Sequence, residues 1–323
     1  MALSCSYFGI ARGRLIVLVV LACLSAIPAS SAGPENPVRA AARSVVGVLP
    51  AWTSRPPNAA EPEGSGVVVG DGTLVLTADH ILGNAVRVRV RTGEGDIAEV
   101  RIVARDGETD LALLKMPFAL EPLTFEGYPE TGDRTCAIGN AFGLGTSASC
   151  GTVSAVRRSG VGFNPIEDFI QTDAAVNPGM SGGALVDGDG ALVGILSAIF
   201  TKQSDANIGV NFAVSAPLAA LALERMQVRD AQPWPRAGLQ LRPFPPRGGI
   251  GRAGAVIVDI APGSAASNAD LEVGDVITQA GSRRIFGPAD LRAAVAMQKS
   301  GEPLAITLLR GQDEHKAQIT IAE

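Results

Sequence analysis

The stretch FIQTDAAVNPGMSGGALVD (169–187) decides how the rest of the chain is read. At its centre stands Gly179-Met180-Ser181-Gly182-Gly183. Glycine on both sides of the serine lets the backbone turn sharply, exposes the hydroxyl and aims amide groups into one cavity. A serine hydroxyl is a weak nucleophile unless a base lies within hydrogen-bond reach, and the base needs an acidic partner to hold its tautomer. The chain has two histidines, His80 and His315, which narrows the choice of base. Taken singly, such a serine is also an ordinary turn residue and a lone histidine is more often structural than catalytic.

Chain order separates the remaining readings. Gly-x-Ser-x-Gly also fits the nucleophile elbow of α/β-hydrolases, whose order is serine, acid, histidine. Only Ser181 with His315 would satisfy that order. His315 sits in Gln312-Asp313-Glu314-His315-Lys316, which reads as an exposed polar turn between the last two strands. The alternating helices of a parallel-sheet hydrolase are missing before Ser181. The order His80, Asp110, Ser181 is instead the chymotrypsin arrangement.

Working outward from the serine, the chain reads as short strands with turn signals between them. Strand-like runs fall at 44–49, 66–69, 74–77, 100–104, 111–116, 135–139, 152–156, 184–186 and 192–198. Val86, Val88 and Val90 alternate with Arg87, Arg89 and Arg91, the pattern of a half-exposed strand whose arginine row is a solvated face. Asp187-Gly188-Asp189-Gly190 is a hairpin signal. About a dozen short strands with scarcely a helix argue for an all-β barrel or sandwich. The first convincing helix runs from Ala216 to about Gln227, opened by Ser215-Ala216-Pro217, with Leu218, Leu221 and Met226 on one side. Residues 229–236 read as a linker. Beyond it, strands at 255–260, 276–279, 304–309 and 316–321, a short helix at 264–270 and a helix at 288–297 describe a small α+β unit. In the second helix Leu291, Val295 and Ala294 face inward.

The chain resembles the HtrA/Deg branch of the trypsin-like serine proteases over most of residues 44–228, in the family's order. GSGVVVGDGTLVLTADHIL (64–82) resembles the segment around its catalytic histidine, and TDLALLK (109–115) the stretch carrying its aspartate. GNAFGLG (139–145) and SCGTVSAV (149–156) resemble its central hairpin, and GVNFAVS (209–215) the strand beside its substrate pocket. The resemblance implies a double six-stranded barrel of chymotrypsin type. It also implies His80 as general base, Asp110 as its orienting partner, Ser181 as nucleophile, and the amides of Gly179 and Ser181 as oxyanion hole. Asp79 and Asp106 lie close by but off the matching position. Ala175, Asn211 and Phe212 fall at the specificity pocket. Alanine at 175 supplies no charge for Lys or Arg, so cleavage after small or medium apolar residues is expected. Met180, Ala141 and Ser215 depart from the family's usual Asn, Pro and Pro. Met180 is expected to contribute its backbone, with its side chain altering the rim of the site.

AVIVDIAPGSAASNADLEVGDVITQAG (255–281) and GPADLRAAV (287–295) resemble a PDZ domain, which takes an extended peptide as an added strand. Ala237-Gly238-Leu239 fits its carboxylate loop loosely, and 243–252 replaces a segment that is often helical. The expected layout is a signal peptide over 1–32, a protease domain over 33–228, a linker over 229–236 and a PDZ domain over 237–323.

Arg12 and Arg14 followed by the apolar stretch Leu15 to Ile27 and by Ser30-Ser31-Ala32 read as a secretory signal. Export is therefore expected, to the bacterial periplasm, the alternative being an anchor through an uncleaved signal. Behind the signal only Cys136 and Cys150 remain, flanking a turn centred near Gly143. Export makes a disulfide between them feasible, while two small buried residues that never bond are the other reading. The net charge of −5 and the lack of a dense basic cluster argue against nucleic acid as a partner. No cofactor and no metal are expected. The family implies unfolded protein or peptide substrates, C-terminal peptides at the PDZ groove and a homotrimer or higher oligomer. The expected activity is ATP-independent endoproteolysis of unfolded or damaged exported proteins through an acyl-enzyme. The alternative is a PDZ-bearing chaperone or scaffold whose protease is weak or switched off.

Overall fold

A computed structural model describes residues 35–52, 64–199, 209–228, 232–244 and 253–321. The secretory signal, residues 229–231 of the linker and residues 245–252 lie outside them.

Near-continuous apolar runs such as Val67-Val68-Val69 and Leu74-Val75-Leu76 need both faces of a strand buried, and the fold supplies two dry faces. Strands β1 (Val45–Ala51), β2 (Gly64–Val69), β3 (Leu74–Ala78), β4 (Arg87–Arg91), β5 (Ile97–Asp106) and β6 (Leu111–Lys115) close into an antiparallel barrel ordered β1-β2-β3-β6-β5-β4. Its interior holds Val46, Val48, Val68, Val75, Val90 and Leu114. The alternate residues Val45, Val67, Val69, Leu76, Leu111 and Leu113 face outward into a second apolar cluster. That cluster is shared with Ile138, Ala184, Ile195 and Val214 of the next barrel. One set of side chains therefore fills the barrel, and the other glues it to its neighbour.

The neighbour is built from β7 (Arg134–Gly139), β8 (Ser147–Arg158), β9 (Phe169–Thr172), β10 (Ala184–Val186), β11 (Leu192–Ile199) and β12 (Asn211–Ser215), closed in the order β10-β11-β12-β9-β8-β7. Asp187 ends β10 by accepting from the amides of Asp189 and Ala191, both at 2.9 Å, which makes the hairpin that its sequence signals. Cys136 faces Cys150 across the β7–β8 ladder, and a disulfide joins them. Val88 and Val90 point into the first barrel, but Val86 lies before β4 and is exposed. The alternation thus starts one position later than the pattern implied.

Among the described residues, three α-helices accompany the barrels. They are α1 (Pro37–Ala41), α2 (Asp79–Leu82) and α3 (Ala216–Gln227). The first two are shorter than the sequence patterns can resolve. Ser215 caps α3 by accepting from the Leu218 amide. The buried stripe of α3 is Leu218, Ala219, Ala222, Leu223 and Met226, and it closes the apolar cluster between the barrels. Leu221 is half-buried at the edge of this stripe and packs against the same cluster, on the side expected for it with Leu218 and Met226.

The third sheet contains β13 (Leu239–Phe244), β14 (Gly254–Ile260), β15 (Val276–Ala280), β16 (Arg283–Arg284), β17 (Pro303–Arg310) and β18 (Asp313–Thr320), with α4 (Pro288–Ala296) packed on it through Leu291 and Val295. Ala294 is only half-buried. Of the helix expected over 264–270, a single 3-10 turn forms at Ala266–Asn268. β13 was not among the strands expected, and as an edge strand it has a free side on which Pro243 is tolerated. His315 lies within β18 opposite Leu308 and is half-buried, not in the turn that was expected. This sheet leans on the second barrel, with Arg292 donating to the Pro165 carbonyl at 2.9 Å and Ser159 donating to Asp290.

Candidate active site

The first barrel contributes an imidazole and a carboxylate. β3 ends at Ala78, and the one-turn helix α2 that follows carries His80. The turn ahead of β6 carries Asp110, a non-glycine residue held at φ 59°. That conformation costs about 1 kcal/mol or more and persists only where surroundings over-determine it. Here they do. The Asp110 carbonyl accepts from the Asp79 amide at 2.9 Å, and one carboxylate oxygen accepts from the His80 amide at 2.8 Å. The other oxygen meets His80 Nδ1 at 2.7 Å and accepts from Ser197 Oγ at 3.1 Å. A carboxylate at Nδ1 keeps the proton on that nitrogen and leaves Nε2 as the basic site. The hydrogen bond to Asp110 raises the His80 pKa above its ordinary value, and the negative charges of Asp110 and Asp79 add to this against the opposing effect of burial.

Of the two other aspartates near the histidine, Asp79 pairs with Arg105. Asp106 accepts from Thr109 Oγ1 at 2.8 Å and from Trp234 Nε1 at 2.9 Å. Neither faces the imidazole as Asp110 does.

The second barrel contributes Ser181, in the loop between β9 and β10. Ser65 clamps this loop from the first barrel. Its amide donates to the Ser181 carbonyl at 2.8 Å, its hydroxyl donates to the Gly179 carbonyl at 2.7 Å, and that hydroxyl accepts from the Asn140 amide at 2.9 Å. The Phe142 amide donates to the Pro178 carbonyl at 2.8 Å, tying the same loop to the segment after β7. Gly179 has φ +92° and Gly182 φ +81°. A β-carbon on Gly179 would stand 2.4 Å from the Asn140 carbonyl oxygen, and one on Gly182 2.2 Å from that of Ser65. Only glycine fits either place. Among the described residues, the amides of Gly179 and Ser181 donate to no acceptor, so both are available to a developing oxyanion. The Ser181 hydroxyl makes no hydrogen bond to His80 among the described residues, although both line one cavity. Such bonds are often long before substrate arrives.

That cavity, about 480 Å³, is lined by His80, Asp110, Ser181, Ser197, Gly162, Phe163 and Asn164. Sequence reasoning missed Ser197 and the 162–164 wall. For Ser197 a signal existed, a lone hydroxyl in the apolar strand LVGILSAI. For the wall there was none, because its position depends on how the loop ahead of β9 folds back.

Of the residues expected at the specificity pocket, Ala175 is half-buried, and its amide donates to Ser149 Oγ at 3.1 Å. Asn211 is buried and donates from Nδ2 to the Ala174 carbonyl at 2.8 Å, tying β12 to the segment that carries Ala175. Phe212 is buried, with its ring 5.8 Å from that of Phe163 and 5.7 Å from that of Phe169. The rim expectation for Met180 is corrected. Its side chain is buried in the core of the second barrel against Ala137, Leu185 and Val193, because φ at the neighbouring glycines turns it inward. Just ahead of the third sheet Ala237 is buried, and Gly238 and Leu239 line a groove of about 190 Å³ with Leu241, Leu291 and Val295.

A family model described as Trypsin-like peptidase domain matches residues 64–195, and one described as PDZ domain matches residues 206–321. Among curated proteins, Periplasmic pH-dependent serine endoprotease DegQ of Escherichia coli (strain K12) is 31% identical over 270 residues, covering 80% of this chain and 59% of that protein. Periplasmic serine endoprotease DegP of the same organism is 35% identical over 263 residues, covering 76% and 54% respectively. The chain thus spans less than two thirds of the length of these curated relatives. A solved structure of the HtrA-type protease AlgW with tripeptide shares 32% identity at a TM-score of 0.70, covering 89% of this chain and 96% of that one. The serine endoprotease from Yersinia pestis shares 31% identity at a TM-score of 0.56 with 89% and 97% coverage. Two closed six-stranded barrels, a PDZ-like sheet behind them and this extent of shared sequence place the chain in the HtrA family of trypsin-like serine proteases carrying a PDZ domain.

Proposed function

We propose that this protein is an exported, ATP-independent serine endopeptidase acting on unfolded or damaged proteins. The observation that carries the reading is the Asp110–His80 pair facing the same cavity as Ser181, beside two unengaged amides. In the reaction, Ser181 Oγ attacks the scissile carbonyl carbon as its proton passes to His80 Nε2. The carbonyl oxygen takes up negative charge against the amides of Gly179 and Ser181. The C–N bond then breaks, with His80 returning the proton to the leaving amine and the acyl group left on Ser181. Water attacks that ester by the same steps and frees the enzyme.

The wider reading includes location, layout and partners. Periplasmic relatives support export to the periplasm. The layout is a signal over 1–32, a protease domain over 33–228, a linker over 229–236 and a PDZ domain over 237–323, with assembly as a trimer or higher oligomer. C-terminal peptides bind the groove beside Gly238 and Leu239. Ala175 supports cleavage after Val, Ala or Leu. A peptide library digested by the purified protein is expected to be cut mainly after such residues. Cleavage mainly after Lys or Arg would remove the specificity reading, and no cleavage of any peptide or of casein would remove the peptidase reading.

The pH profile follows from the geometry. Catalysis needs neutral His80, and Asp110 raises its pKa. The acid limb of kcat/KM is therefore expected to have its midpoint above that of an ordinary imidazole. Asp110→Asn is expected to move the midpoint down and to lower the rate. A wild-type limb at or below the ordinary value, measured with an uncharged peptide, would contradict this.

A further inference from the structure

Glu167 is 3% exposed and stands just ahead of β9. One of its carboxylate oxygens accepts from the Val161 amide at 2.8 Å. The other accepts from the amides of Gly162 at 2.8 Å, Phe163 at 2.6 Å and Asn164 at 3.2 Å. Four consecutive backbone donors converge on one buried carboxylate, which answers with charge-assisted hydrogen bonds. The residues so gathered are the ones that face the reaction. Gly162, Phe163 and Asn164 line the cavity with His80, Asp110 and Ser181.

The loop does two further things. The Phe163 ring packs at 6.2 Å from Phe169 and 5.8 Å from Phe212 while staying 40% exposed, so it presents an apolar face to the site. Asn164 Nδ2 donates to the Thr109 carbonyl at 3.0 Å, and the Ile166 amide donates to the Glu108 carbonyl at 2.9 Å. Both bonds grip the turn that ends in the strained Asp110.

We propose that Glu167 is a positioning residue for the peptidase reaction, folding residues 161–164 into a wall of the active site and, through Asn164, fixing the turn that holds Asp110 against His80. The proposal rests on the peptidase reading. A neutral amide at position 167 places an NH2 group among backbone donors and removes one acceptor, so the loop loosens.

The experiment uses the untagged full chain, whose two histidines give two imidazole signals by NMR, assigned with His315→Gln. The ionisable groups acting on His80 are Asp110 and Asp79, the latter paired with Arg105. In Glu167→Gln, kcat/KM on a peptide ending in Val before the scissile bond is expected to fall about tenfold. KM should rise, kcat should fall, and the His80 midpoint should move down. Two variants separate the arms. Phe163→Ala is expected to raise KM and leave the His80 midpoint in place. Asn164→Ala is expected to lower kcat and the midpoint and leave KM in place. Folded Glu167→Gln with wild-type kcat, KM and midpoint overturns the proposal. So does a loss of rate that matches a loss of fluorophosphonate-titratable sites, because the remaining molecules are then normal. Should Glu167→Gln not fold, an Asn164→Ala variant with wild-type kcat and midpoint overturns it equally. A wild type that hydrolyses nothing removes the peptidase reading, while the His80 titration still decides whether Glu167 holds Asp110.

Discussion

Casein hydrolysis by Ser181→Ala is expected to fall to background, a loss of roughly 10⁶-fold in kcat if the assay can follow it that far. The size follows from the division of labour in the site. Removing the hydroxyl deletes the only atom that forms a covalent bond to substrate, whereas the amides of Gly179 and Ser181 stay in place and retain a residual catalysis of about 10³–10⁴-fold over water. The fold should be untouched. Ser181 is held by its backbone, through the Ser65 amide on its carbonyl, and its hydroxyl makes no hydrogen bond among the described residues. The melting temperature is therefore expected to stay at the wild-type value. His80→Ala should cost nearly as much as Ser181→Ala, and the double variant should cost no more than either, because base and nucleophile act as a unit. Additive losses in the double variant, or casein degradation persisting in Ser181→Ala, would reject the assigned roles.

The second large effect is expected at Arg283, far from the chemistry. Arg283 lies on β16 of the PDZ sheet, and its side chain is 8% exposed. It forms an ion pair with Asp168, whose side chain is fully buried in the second barrel. Arg283 also donates to the Arg157 carbonyl at 2.9 Å. Asp168 accepts from the hydroxyls of Tyr128 and Ser215 as well. Burial, together with the Asp168 charge, pushes the Tyr128 pKa up, so the phenol stays a proton donor at neutral pH. Arg283→Ala leaves Asp168 charged and buried with only the two hydroxyls. Breaking such a pair costs about 3–5 kcal/mol, most of it from the stranded charge. The chain has a cheaper escape than unfolding, since releasing the PDZ sheet from the barrel lets water reach Asp168. The expected result is therefore a larger radius of gyration by small-angle scattering and faster proteolysis in the segment that links barrel and PDZ sheet. The loss in barrel melting temperature should be smaller than the full penalty. Asp168→Asn combined with Arg283→Met should recover much of the docking, because the fully buried Asp168 charge goes with its partner, while Asp290, 3.8 Å from Arg283, keeps its bonds from the Ser159 hydroxyl and the Phe286 and Gly287 amides. An Arg283→Ala protein with wild-type scattering and melting would show that the pair holds nothing together.

Much of this molecule was legible without coordinates because its signals are local. The Asp187 turn, the Ser215 cap and the strand patterns of 64–78 depend on neighbours within a few residues, and backbone chemistry there has few solutions. Chain order removed His315, and the resemblance of TDLALLK (109–115) to the family's segment carried the choice of Asp110 over Asp79 and Asp106, which the contacts of the three aspartates match. The inferences that failed share a physical form. Val86 and Met180 were assigned a side by period or position, but a bend at Val86 and the positive φ of Gly179 beside Met180 turned each elsewhere. His315 was placed in a turn because it sits in a polar run, yet the last strand begins within that run and sets His315 on the same side as the buried Ala317 and Ile319.

By itself the sequence determined the two-barrel scaffold, the PDZ-like sheet and the identity of the residues at the centre of the site. Their alignment was decided by tertiary structure. The Ser65 clamp on Ser181 spans 116 positions from one barrel to the other, and Asp168 finds Arg283 115 positions away. Glu167 is local in sequence, but it acts by pressing a loop against Thr109, 55 positions from Asn164. Short-range preferences choose among strands, turns and caps. Only the packing of two barrels and a third sheet brings distant partners close enough for a hydrogen bond, and none of those pairings leaves a periodic trace in the chain.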